Sequence, residues 1–232
     1  MKTLRYFLKG TQETLFKRIL KIFGDKAVAN DGNFILVPGE VPVMLVAHLD
    51  TVHKRVVREI ITENDGNILS SPQGIGGDDR CGVYALCKIY ETVEKKPYLL
   101  FTCNEEIGRQ GAQEFCRVHR LGQLPAELDA LKFLIEIDRK GANDAVYYNC
   151  QNFEFENYIS SKGFVTDTGS FSDISNIAPE LGVAAVNLSS GYHNAHKLNE
   201  YINCNELEHT IERVIKILGE AAQDDFPRYE FL

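Results

Sequence analysis

Apolar side chains at Leu4, Phe7, Leu8, Leu15, Ile19, Leu20 and Phe23 recur at helical spacing, and Gly24 offers a stop. The chain is therefore expected to open with one helix packed outside a sheet. Residues 34–37 and 43–47 read as short strands, the second a continuous apolar run of the kind buried on both faces. Segments 56–61 and 67–69 flank Asn64-Asp65-Gly66, a hairpin turn. Helices are predicted at 82–93, 111–118 and 153–161, and strands at 98–103, 133–137, 146–148 and 182–188, the last of them the final strand of the chain. Asn205, with Glu208 three residues on, predicts the start of a closing helix that runs to Ala222. Strands alternating with helices imply an α/β fold, a three-layer α/β/α sandwich around a mixed, largely parallel central sheet. No linker or repeat divides the chain, so residues 1–232 are expected to form a single domain.

In such folds ligands bind where strands end and loops begin. The run 43–47 ends in His48-Leu49-Asp50-Thr51, and the run 99–103 ends in Asn104-Glu105-Glu106-Ile107-Gly108. The run 133–137 ends in Asp138, the run 183–188 is followed by Tyr192-His193-Asn194-Ala195-His196, and Gly77-Asp78-Asp79-Arg80 precedes a helix. Each residue alone has an ordinary explanation: a hydrogen-bonded histidine, an aspartate helix cap, a solvated glutamate pair. Five such segments at one sheet edge are better explained together, as a metal centre. Imidazole and carboxylate donors suit zinc, with cobalt or manganese as alternatives. Two histidines and three carboxylates can hold two ions if one carboxylate bridges. The Glu105-Glu106 doublet then offers a ligand next to a base, and Asp50 lies on the same side of the chain as His48, placed to orient its ring.

Composition narrows the partners. A formal charge of −8 with no basic block excludes a nucleic-acid partner. No stretch approaches the ~20 apolar residues of a membrane span, and 1–24 lacks the uninterrupted apolar middle of a signal peptide. The six cysteines form no CxxC pair and read as reduced, buried thiols of a cytoplasmic protein.

In order and spacing these segments resemble the MH clan of co-catalytic zinc exopeptidases, which includes peptidase T-like tripeptidases, relatives of aminoacylase and several aminopeptidases. His48-Leu49-Asp50 resembles the His-x-Asp motif, Asp78 the bridging aspartate, Glu105-Glu106-Ile107-Gly108 the Glu-Glu-x-Gly motif, and His196 with Glu200 the terminal His-x-x-x-Glu. The resemblance implies His48 and Asp138 on one metal and Glu106 and His196 on the other, with Asp78 bridging. It further implies Glu105 as the base and a cis peptide bond between Asp78 and Asp79. Only 57 residues separate Asp138 from His196, which leaves no room for the lid or dimerisation domain of some relatives. The expected activity is two-zinc hydrolysis of a terminal peptide bond, by an aminopeptidase or di/tripeptidase. The alternatives are deacylation of N-acyl amino acids and a catalytically inactive metal-binding interaction domain. Retention of glutamate at 105 argues against the second. His193 is assigned to the substrate pocket or the surface. Arg139 reads as part of a surface turn, or as the partner of a substrate's terminal carboxylate. In Gly169-Ser170-Phe171-Ser172-Asp173, Ser172 is the expected cap of a short helix, and Asp173 the alternative contact for a substrate amine.

Overall fold

Near-continuous apolar runs let each central strand bury both of its faces. The computed structural model describes residues 3–231; Met1, Lys2 and Leu232, which the single-domain expectation includes, lie outside the described residues. The elements run in order as helices α1 (Leu4–Leu8) and α2 (Gln12–Phe23), then strands β1 (Val28–Asn30), β2 (Phe34–Val37), β3 (Val41–His48), β4 (Ile61–Glu63) and β5 (Ile68–Ser70). Helix α3 (Gly77–Thr92), strand β6 (Pro97–Thr102), helix α4 (Gln110–Arg120) and strands β7 (Phe133–Arg139) and β8 (Asp144–Val146) follow. The rest comprises α5 (Phe153–Ser161), β9 (Val165–Thr166), α6 (Ile174–Leu181), β10 (Ala185–Ser189), β11 (Tyr192–His193), β12 (Tyr201–Asn203) and α7 (Cys204–Ala221).

Eight strands form the main sheet in the order β1-β2-β6-β3-β7-β10-β8-β9. Its four central strands, β6, β3, β7 and β10, are mutually parallel, with antiparallel neighbours on both sides. Val43, Leu45 and Ala47 of β3 pack into one core with α1, α2, α3, α5 and α7, while Met44 and Val46 pack into the other with α4 and α6. This period-two split makes the sheet the middle of three layers. A smaller four-stranded sheet, β11-β12-β5-β4, stands beside the carboxyl edge.

Several elements differ from the sequence reading. The opening helix is two helices, because Gly10 takes φ +142° and Thr11 starts a new one by accepting the Thr14 N–H. Segment 56–61 contributes only Ile61 to β4. Strand β10 does not close the fold, since β11 and β12 follow it. Asn203, not Asn205, caps α7: its side chain accepts the Asn205 N–H, and Glu208 instead binds Tyr84 and Lys88.

Candidate metal centre

Parallel strands that end together deliver side chains to one edge. β3 pairs with β6 so that His48 stands opposite Thr102, and with β7 so that Val46 stands opposite Glu136. His48 and Asp138 therefore emerge side by side. Asp138 is fixed further by Asn187 of β10, which accepts the Asp138 N–H at 2.8 Å and donates to its carbonyl at 3.0 Å.

Asp78 comes from the start of α3, where the Asp78-Asp79 peptide bond is cis, as the resemblance implied. Glu200, fully buried, holds this turn: its oxygens accept the Gly76 N–H at 3.1 Å and the Asp78 N–H at 3.0 Å, and one lies 2.7 Å from His53 Nε2. Asp79 turns inward and accepts the His48 and Gly82 N–H groups. Gly82 has to be glycine, since a Cβ there would stand 2.4 Å from the Ile137 carbonyl and 2.5 Å from Asp79 oxygens. Asp50 accepts the Glu105 and Glu106 N–H groups, one on each oxygen at 3.0 Å, and stands 3.2 Å from His48 Nδ1.

The donors converge around Asp78. His48 Nε2 is 3.2 Å from Asp78 Oδ1 and 3.6 Å from Asp138 Oδ2. On the other side, His196 Nε2 is 3.1 Å from Asp78 Oδ2 and 3.2 Å from Glu106 Oε1. Atoms bound to one tetrahedral zinc at ~2.0–2.1 Å stand roughly 3.3 Å apart, so these spacings suit a shared cation. One ring nitrogen cannot donate a single proton to two carboxylates, and Glu106 Oε1 is buried without a hydrogen-bond donor. The residues present thus fit a metal. Asp79 also comes within reach of His48 and Asp138, but the backbone N–H groups already occupy it.

Electrostatics point the same way. Burial, reinforced by Asp78 and Asp79, pushes the Asp138 carboxyl well above the usual range. Burial likewise raises Glu105 and Glu106. Burial opposes ionisation of Asp78 too, but hydrogen bonds from His196 and His48 hold it far below the usual range. The hydrogen bond to Asp78 lifts His196 to about 9. Burial favours neutral His48, yet Asp138, Asp50 and Asp78 outweigh it and raise that ring well above normal. Carboxylates outnumber imidazoles here, and a cation would relieve the excess.

A cleft of about 500 Å³ opens over these groups, with Asp78, Glu105, Glu106, Asp138 and His196 in its lining. Residues 36–218 match the family model of peptidase family M28. The chain belongs to peptidase family M28. It is a metal-dependent peptidase of the MH clan. Among solved structures, aminopeptidase PepT from Bacillus cereus ATCC 10987 is similar over 95% of this chain and 98% of its own, at 15% identity and a TM-score of 0.69. A tripeptidase from Staphylococcus aureus subsp. aureus mu50 matches 94% of this chain and 96% of its own, at 14% identity and the same TM-score of 0.69. The TET1 peptidase of Pyrococcus horikoshii, which can assemble into a tetrahedron or a large octahedral shell, matches 93% and 98% at 14% identity and a TM-score of 0.63. These likenesses establish the shared M28-type α/β fold. No curated protein sequence matches the chain.

The remaining expectations divide. His193 is turned away from the centre, stacked on Tyr201 and 2.6 Å from Glu206. Arg139 lines the cleft but donates to Asp167 at 2.9 Å and to the Thr168 carbonyl at 3.0 Å. Ser172 does not cap α6; its hydroxyl donates to buried Glu136 at 2.5 Å. Asp173 is fully buried, accepts from Thr102, and is absent from the lining of the cleft. Three further residues, Asn187, Asp79 and Tyr192, whose hydroxyl donates to the Asp138 carbonyl at 3.2 Å, have no site role in the sequence reading. Asn187 carries a signal, a polar side chain inside an apolar strand, and Asp79 reads only as a helix cap.

Proposed function

We propose that this chain is a two-zinc exopeptidase that hydrolyses the terminal peptide bond of short peptides, as an aminopeptidase or di/tripeptidase. The observation that carries this reading is Asp78, whose two oxygens face two different imidazoles at 3.2 and 3.1 Å. His48 and Asp138 would hold one ion and Glu106 and His196 the other, with Asp78 between them. When bound, such a pair polarises the scissile carbonyl and makes a water acidic enough to ionise near neutral pH. Glu105 accepts that proton and returns it to the leaving amine; its burial-raised pKa suits both steps. Asp50 accepts the His48 Nδ1 proton and so directs the Nε2 lone pair toward the centre. The nitrogen and oxygen donors favour zinc, and cobalt or manganese fit the same set. Among the described residues no helix is long and apolar enough to cross a membrane. The six free cysteines support a reducing cytoplasmic location.

The test joins metal content to hydrolysis of peptides with free or blocked ends, for wild type and Glu105→Gln. About two zinc equivalents are expected in both proteins, with kcat at least ~100-fold lower in the variant. Failure to bind metal after reconstitution, unchanged turnover in the variant, or hydrolysis confined to N-acyl amino acids would each overturn the reading.

A further inference from the structure

The floor of the cleft is acidic, but its lining also carries three cations, Arg109, Arg139 and Lys140. Arg139 is occupied by Asp167 and the Thr168 carbonyl. Arg109 is not. Among the described residues its guanidinium makes no hydrogen bond and no ion pair; it lies 4.7 Å over the ring of Phe171, and its Nε is buried without an acceptor. Its position is fixed by the turn that carries the proposed base. The Gly108 and Arg109 N–H groups both donate to the Glu105 carbonyl at 2.9 Å, and Arg109 adopts φ +55°, a left-handed conformation uncommon for a residue with a side chain. A guanidinium stacked on an aromatic ring, with one N–H withdrawn from water and unmatched, lacks an anionic partner. Lys140, exposed and two residues after Asp138, adds a second positive charge and makes no ion pair among the described residues.

We propose that Arg109, assisted by Lys140, is a specificity-determining residue that binds a carboxylate of the substrate. This rests on the exopeptidase reading above and names its substrate class: short peptides that carry a carboxylate within reach of the cleaved bond. The carboxylate has two sources, the side chain of an acidic terminal residue or the free carboxyl end of a di- or tripeptide. Planar guanidinium matches either with two parallel hydrogen bonds, and a neutral amide in its place leaves an N–H unanswered.

The experiment measures kcat and KM for matched peptides with metal-loaded wild type, Arg109→Ala and Arg109→Lys. One pair differs as terminal glutamate against glutamine, the other as free against amidated carboxyl end. Wild type is expected to favour the carboxylate member of one pair by roughly 10- to 100-fold, mostly through KM. Which pair shows the effect identifies the source. Arg109→Ala should bring that ratio close to one, and Arg109→Lys, which keeps the charge and loses the fork, should fall between. No carboxylate preference in wild type, or one that survives Arg109→Ala, overturns the proposal. Calorimetric binding of the same peptides to Glu105→Gln, with and without Arg109→Ala, decides the point independently of turnover. If no peptide is cleaved, the exopeptidase reading fails. A binding ratio that still depends on Arg109 then supports the carboxylate site, and one that does not overturns it.

Discussion

Residues at this centre divide into those that face Asp78 and those, such as Asp50 behind His48, that hold them in place. His48 and Asp138 are legible because an ionisable side chain directly after an apolar strand is unusual, and Glu106 and His196 because they sit in the loops that follow two more such strands. Glu200 drew notice only by its distance from His196, and its hydrogen bonds to Gly76, Asp78 and His53 depend on a tertiary approach that spacing does not encode. Asp79 reads as a helix cap yet serves the His48 N–H. If Glu200 presents Asp78, then Glu200→Gln, which turns one acceptor oxygen into a donor, should weaken metal binding by roughly 10- to 100-fold. Titration with a competing chelator measures this, and an unchanged affinity would leave Glu200 with a purely structural duty.

Secondary structure elements were read best where burial is uniform. The strands 34–37 and 43–47 are apolar throughout, 133–137 is interrupted only by Glu136, and the helix expected at 153–161 is α5 to the residue. The first helix was misread because its apolar period passes through Gly10 unbroken, although Thr11 caps a fresh start there. The small second sheet was largely invisible: two- and three-residue strands carry too little pattern. The cap of α7 shifted because Asn203, which also receives the Asn67 amide and donates to Glu206, outcompetes its neighbour Asn205. Asn203→Ala should therefore cost about 1–2 kcal/mol, read as a lower midpoint in thermal or urea unfolding. A loss near zero would mean the Glu206 and Asn67 contacts reorganise around the gap.

At the scale of the whole molecule, the three-layer architecture was legible from alternation alone, whereas the balance of charge in its interior was not. Burial pushes Asp138, Asp79 and Glu136 well above the ordinary carboxylate range and Asp173 up to about 7, while Asp78 holds His196 near 9. A raised folded-state pKa stabilises below the unfolded value and loses that contribution as pH climbs through the folded one. Metal-free protein should consequently melt at a higher temperature near about pH 5.5 than near about pH 8.5. Saturating zinc should narrow or reverse that gap, because its ligands must shed protons to bind. Thermal melts with and without chelator measure both, and a metal-free protein more stable at the alkaline end would contradict the charge balance described. The proposed donors lie on β3, the head of α3, the turn after β6, β7 and the loop before β12, so no two of them share an element. A bound pair of ions would therefore act as a rivet through five separate stretches of chain, as well as a reagent.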